Sequence, residues 1–202
     1  MPATTLMEVD IAHGDALVAG GAAYVDLRVT DAYLEVHIPG SLGLFYEFGP
    51  GMAARARDCL PLDLPLLLLS SPEVDMNNAA AALRGKGFTV LGRMDDALQE
   101  WARAHGTPAS TEIVEGSDAP EGTVLDVADP GVIPHDGARR IPLDHLWGRA
   151  AELAGESPVI VAAGYGVRAA LAVGMLERAG VTEVVFWKTR ARPPKPRYEA
   201  YG

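Results

Sequence analysis

The sequence predicts an α/β protein built from two successive, mostly parallel sheets, each flanked by helices. An internal repeat is the first observation. Pro65-Leu-Leu-Leu-Leu-Ser70 is a short apolar run followed by a polar loop, an Ala-rich stretch to Leu83, and Gly87-Phe88. Pro158-Val-Ile-Val-Ala-Ala163 begins the same series, with Leu176 matching Leu83 and Gly180 matching Gly87 without a gap. Upstream, Gly21-Ala-Ala-Tyr-Val-Asp26-Leu parallels Gly122-Thr-Val-Leu-Asp126-Val with one residue of slack. The second observation is the alternation itself. Short apolar runs bounded by Pro and polar turn residues read as buried parallel strands. The stretches 77–86 and 169–178 have helical length and good helix formers. Strands alternating with helices imply a parallel sheet covered on both faces.

Each half then reads strand, helix, loop, strand, helix, strand. Gly87 and Gly180 stand where a helix C-terminus needs a left-handed residue. The first half closes with a strand at Phe88-Thr-Val-Leu91, Gly92-Arg-Met94 and a helix through Trp101 to about Ala104. Gly106-Thr-Pro-Ala-Ser110 is the expected linker. The second half closes with a strand at Val184–Trp187. Its last segment, Arg190-Ala-Arg-Pro-Pro-Lys-Pro-Arg197, carries prolines that forbid helix and favour polyproline II.

Composition bounds the function. The 202 residues are 49% apolar and 22% charged, ordinary for a globular chain, and the net charge of −10 repels nucleic acid. Met1 to Asp10 has neither a basic start nor an apolar run, so no secretory leader is expected. Apolar runs such as Leu66–Leu69 are too short for a membrane span. Cys59 is the single cysteine, which excludes an internal disulfide and a cysteine zinc site, and the five histidines lack ligand spacing. No metal or cofactor is expected, and a reducing cytoplasm is the expected compartment.

Tyr24-Val-Asp26-Leu-Arg28-Val-Thr-Asp31-Ala-Tyr33-Leu-Glu-Val-His37-Ile-Pro39-Gly40-Ser41 resembles the opening signature of rhodanese domains, in which Asp-x-Arg ends a strand and His-Ile-Pro-Gly-Ala follows a short helix. Gly92-Arg-Met94 with Trp101 is similar to the family's closing Gly-Gly-x-x-x-Trp region. The second half keeps Leu125-Asp126-Val127 and Gly137-Ala-Arg-Arg-Ile-Pro142, with the turn's His replaced by Pro134 or displaced to His135. The resemblance implies two rhodanese-like domains, 7–106 and 111–188 (the second shorter and degenerate), then a basic Pro-rich tail, 189–202. It also implies a place for sulfur-transfer chemistry: a loop of pattern Cys-x-x-Gly-x-Arg at a strand end. Here that loop reads Ala163-Gly164-Tyr165-Gly166-Val167-Arg168, and its first-half counterpart begins at Ser70.

Sulfur transfer needs a thiolate that becomes a persulfide. Ala163 has no nucleophile, and the Ser70 oxygen cannot form a persulfide and has no evident base beside it. Cys59 falls outside both loops and reads as an ordinary semi-buried thiol. No catalytic residue is therefore expected. Two readings of the second loop stay open. Gly164, Tyr165, Gly166, Val167 and Arg168 form an anion cradle at a helix N-terminus, or a turn that persists with Arg168 paired to a carboxylate. The first loop is a poor anion site, because Pro72 lacks an N–H and Glu73 and Asp75 are negative. Ser70 with Glu73 has capping-box spacing for the next helix. Asp26 and Asp126 are expected as buried acceptors, His37 as a structural hydrogen-bonder, and Trp101, Trp147 and Trp187 as packing groups.

The expected function is a catalytically inactive binding or regulatory module, tied by resemblance to sulfur metabolism, whose partner is a small anion or a protein. The alternatives are an active sulfurtransferase or sulfur-carrier accessory enzyme, and a dinucleotide-binding protein. Gly164-Tyr-Gly166-Val-Arg-Ala169 fits the relaxed dinucleotide fingerprint, but the next strand ends in Lys188 rather than an acid, and few residues follow it. Lys188, Arg190, Arg192, Lys195 and Arg197 mark the tail as a docking element for an acidic neighbour, such as a second copy in a homodimer, or as a solvated end.

Overall fold

The computed structural model describes residues 6–46, 51–128 and 135–189. Pro134 and the tail from Arg190 onward lie outside them. The first half runs α1 (Ile11–Ala19), β1 (Ala23–Asp26), α2 (Thr30–Glu35), β2 (Leu42–Gly43), α3 (Gly51–Cys59), β3 (Leu66–Leu69), α4 (Met76–Gly85), β4 (Val90–Met94) and α5 (Ala97–His105). The second runs β5 (Glu112–Glu115), β6 (Thr123–Asp126), β7 (Arg139–Arg140), α6 (Leu143–Arg149), a 3-10 turn (Ala150–Leu153), β8 (Val159–Ala163), α7 (Gly166–Arg178) and β9 (Val184–Lys188).

Both sheets are parallel, with strand orders β2-β1-β3-β4 and β7-β6-β8-β9-β5. The orders coincide, and the repeat read from the sequence is a repeat of topology. Even β5 has a counterpart. Val9 N–H donates to the Arg93 carbonyl (2.8 Å) and Arg93 N–H to the Met7 carbonyl (2.9 Å), so residues 7–9 run beside β4 as β5 runs beside β9.

The two helix ends also match. Gly87 (φ +101°) and Gly180 (φ +95°) follow their helices, and the next amides, Phe88 and Val181, donate back to Leu83 and Leu176. That bond explains why β4 begins at Val90 and not at Phe88: the Phe88 amide finishes the helix. α4 begins later than the Ser70–Glu73 spacing suggests. Its cap is Asp75, whose carboxylate accepts the Asn78 N–H (3.0 Å). The capping-box expectation is corrected accordingly. The helix expected from about Arg168 starts at Gly166.

One hydrophobic core joins the halves, from Val25, Leu66 and Leu68 through Leu171 and Val173 to Val159 and Val161. At its centre lies α7, buried at every position from Ala169 to Leu176. A helix apolar all round must be enclosed on all sides. α7 packs on β8 and β9 of its own half and on β2 and α2 of the other. Small residues allow the approach. A Cβ on Gly174 would stand 2.1 Å from the Ser41 carbonyl oxygen, and one on Gly43 would stand 2.8 Å from the Ala170 Cβ.

The sheets differ on their outer faces. In the first, Tyr24, Leu67, Leu69 and Met94 pack under α1 and α5 through Ile11, Leu17, Leu98 and Trp101. In the second, Ile160, Ala162, Val185 and Trp187 cluster with Val114 and Val124, and no described helix joins them.

Candidate functional site

A parallel sheet presents its ligand groups at the carboxyl ends of its strands. At β1, Asp26 is buried and accepts the Arg28 N–H (3.0 Å), Nε (3.0 Å) and Nη2 (2.7 Å), while Nη2 also reaches the Val36 carbonyl (2.6 Å). At β6, Asp126 accepts the amides of Ala128 (2.8 Å) and His135 (3.3 Å). Both carboxylates are fixed acceptors that hold a chain turn, as the sequence suggests.

Ser70 ends β3. Its amide donates to the Met94 carbonyl (2.8 Å), and its hydroxyl donates to the Asp95 carboxylate, which also receives Arg93 (3.1 Å). The expectation that no base neighbours Ser70 is corrected: Asp95 follows β4 directly, and the parallel register of β3 and β4 brings it alongside. A cavity of about 150 Å³ opens here, lined by Asp26, Arg28, Ser70, Asp96 and Leu98. Two aspartates against one arginine make it unsuited to an anion.

Ala163 ends β8 and is buried. The loop is only Gly164 and Tyr165, the latter 77% exposed, before α7 begins at Gly166. The first turn of a helix leaves its leading N–H groups without intrahelical acceptors. Arg168 N–H finds the Tyr165 carbonyl (3.2 Å), while those of Gly166 and Val167 have no carbonyl behind them in the helix. Gly166 is pressed by the other half: a Cβ there would meet Thr30 Cγ2 at 2.6 Å. The Thr30 hydroxyl is buried beside it without a hydrogen-bond partner among the described residues.

Arg168 reaches the chain just after β6. Its Nη1 donates to the Val127 carbonyl (3.0 Å), and its side chain lines a cavity of about 520 Å³ between the halves with Arg55, Asp58, Cys59 and Asp144. Cys59, set apart from both loops in the sequence, thus shares a wall with Arg168. Burial first, then the Asp58 and Asp144 carboxylates, push its thiol up to about 11 against the pull of Arg168 and Arg55. At neutral pH the thiol form dominates.

His37 is fully buried. Its Nδ1 faces the Tyr33 carbonyl (3.0 Å). Nε2 meets the Glu177 carboxylate (3.0 Å), which also accepts the Gly40 N–H (2.7 Å). His37 is therefore structural, as expected, and Glu177 is the partner that the sequence did not reveal. Among the described residues no helix is long and apolar enough to cross a membrane, and no trio of His, Cys, Asp or Glu is placed to hold a metal ion.

The fold and these strand ends define an α/β protein of two parallel sheets with a helix-capped loop between them. No family model matches the chain, and no curated protein matches it. Solved structures do. The Pseudomonas aeruginosa thiosulfate sulfurtransferase is 15% identical over 93% of this chain and 44% of its own, with a TM-score of 0.41. SseA of Escherichia coli, described with the rhodanese fold of 3-mercaptopyruvate sulfotransferases, is 16% identical over 93% of this chain and 100% of its own (TM-score 0.39). The Alr3790 protein of Anabaena is 20% identical over 45% of this chain and 70% of its own (TM-score 0.39).

Proposed function

We propose that this chain is a rhodanese-like protein without sulfurtransferase activity, serving as a binding module whose ligand is a small anion at the first turn of α7. One observation carries the loss of activity: Ser70 and Ala163 stand at the two strand ends where the resemblance calls for a thiolate. Incubation with thiosulfate and cyanide is expected to give no thiocyanate above background. Turnover that disappears in Cys59→Ser would overturn this reading.

The anion reading rests on the Gly166 and Val167 amides at the end of a thirteen-residue helix and on the unpartnered Thr30 hydroxyl beside them. Arg168 contributes positive potential from the adjoining cavity. Sulfate or phosphate at millimolar concentration is expected to raise the melting temperature by a few degrees, through binding to the native state alone. Arg168→Ala should remove that increment, measured against its own anion-free baseline. An increment that is absent from the unmodified protein leaves the loop a turn and nothing more.

A second reading has one observation in its favour. Cys59 shares the 520 Å³ cavity with two arginines, a setting in which a thiol meets anionic substrates. Its raised pKa opposes this, since only about one thiol in ten thousand would be ionised at pH 7. The thiocyanate assay separates the two.

A further inference from the structure

We propose that the cavity at the carboxyl ends of β1, β2 and β3 is a binding site for a small aromatic amine, which sets its ring among Val29, Phe45, Tyr46 and Val74 and its ammonium group on Glu73. The cavity has a volume of about 350 Å³, in the range of small-molecule sites. It shares only Arg28 with the smaller cavity at Ser70, and no residue with the cavity at Cys59. None of its described lining residues belongs to α7, so the site is separate from the first turn of that helix.

The sequence builds each wall. β1 ends at Asp26, and Leu27 to Val29 leave the sheet there. After β2, the Leu44 N–H donates to the Asp26 carbonyl (2.9 Å) and the Tyr46 N–H to the Leu27 carbonyl (3.1 Å). These bonds extend the pairing beyond the strands and set Phe45 and Tyr46 beside the end of β1. After β3, Ser71-Pro72-Glu73-Val74 closes a turn, with the Val74 N–H on the Ser71 carbonyl (3.1 Å). Serine in the first place and proline in the second are favoured in such turns. The turn brings Glu73 and Val74 to the third wall.

Two properties of the walls select the ligand. The first is shape and polarity: Leu27, Val29 and Val74 face the cavity with the two aromatic residues, and Val29 stands 46% exposed. Such a lining favours a flat apolar body. The second is charge. Arg28 and Glu73 are the ionic groups of the wall. Asp26 neutralises the Arg28 guanidinium through a bidentate pair. Glu73 makes no hydrogen bond or ion pair among the described residues, so its carboxylate is the uncompensated charge. It attracts a cation, aromatic rings add to that preference, and the net charge of −10 acts in the same direction.

Tryptamine and indole-3-propionate test the site, because they share a ring and a linker and differ in the sign of the terminal charge. In the isotope-labelled full chain, tryptamine is expected to shift the amide resonances of Val29, Tyr46 and Val74 saturably. Indole-3-propionate should bind about tenfold more weakly. Glu73→Gln should weaken tryptamine about fivefold, the worth of a solvent-exposed ion pair, and narrow the gap between the two probes. Val29→Trp, at an exposed position, should fill the cavity and abolish binding with little change in melting temperature. The absence of saturable shifts at millimolar tryptamine, equal affinity for the two probes, or undiminished binding to Glu73→Gln each overturns the proposal. So do shifts confined to the first turn of α7.

Discussion

Gly174→Ala is expected to destabilise the protein by about 3 kcal/mol, near the upper end for an added methyl in a packed interior. The added carbon would stand 2.1 Å from the Ser41 carbonyl oxygen and 3.1 Å from the Leu42 Cα, both backbone atoms that cannot swing aside. Relief requires α7 to move away from β2, which loosens the packing of a helix buried from Ala169 to Leu176. For a chain of this length the melting temperature should fall by roughly 10 °C. Gly148→Ala is the control. It sits in α6 with nothing within 4 Å of its would-be Cβ, so alanine there should be neutral or slightly stabilising. Thermal or urea unfolding of the pair reads the difference, and an unchanged midpoint for Gly174→Ala would falsify the close contact of α7 with the Ser41–Leu42 segment.

Asp26→Ala should destabilise by about 3–5 kcal/mol, because it strands the Arg28 guanidinium at a half-buried position. Three donors lose their acceptor at once: the Arg28 amide, Nε and Nη2. The sharper form of the prediction is a double-mutant cycle. Asp26→Ala with Arg28→Ala should destabilise less than the two single changes added together, since the second removes the charge that the first leaves unpaired. Additive effects in urea titration would mean that the two side chains act independently, contrary to their bidentate geometry.

Much of this architecture was legible where a local rule decides it. β3 occupies the four leucines between Pro65 and Ser70 because an apolar run of that length, bounded by turn residues, has no competing assignment. The Gly87 and Gly180 turns were legible because left-handed backbone after a helix selects glycine. The α4 cap was not, because Ser70 and Asp75 both satisfy a local pattern, and the choice falls to the parallel register that gives the Ser70 hydroxyl to Asp95. α1 and α3 escaped for another reason: neither has a strong periodic stripe, and tertiary packing holds them helical.

The candidate site divides along the same line. The positions of Ser70 and Ala163 at strand ends follow from the repeat. The direction of Arg168 does not, since its acceptor, the Val127 carbonyl, belongs to another strand. Nor does the pairing of His37 with Glu177, whose partners meet only because α7 crosses to the other sheet. The Ala-rich stretch before Leu176 reads as helix propensity alone, whereas in the structure its small residues also set how near two sheets can come.

α7 therefore has two allegiances. By descent of the repeat it is the second copy of α4, and it should serve one sheet only. By contact it is the floor beneath both, with Glu177 and Arg178 holding the His37 ring and the Ala22 carbonyl of the opposite half. The seam where the duplicated sequence divides is thus not the seam along which the molecule comes apart. Loss of α7 from its seat would uncover both sheets together, so the chain is expected to melt as a single calorimetric transition despite being written as two.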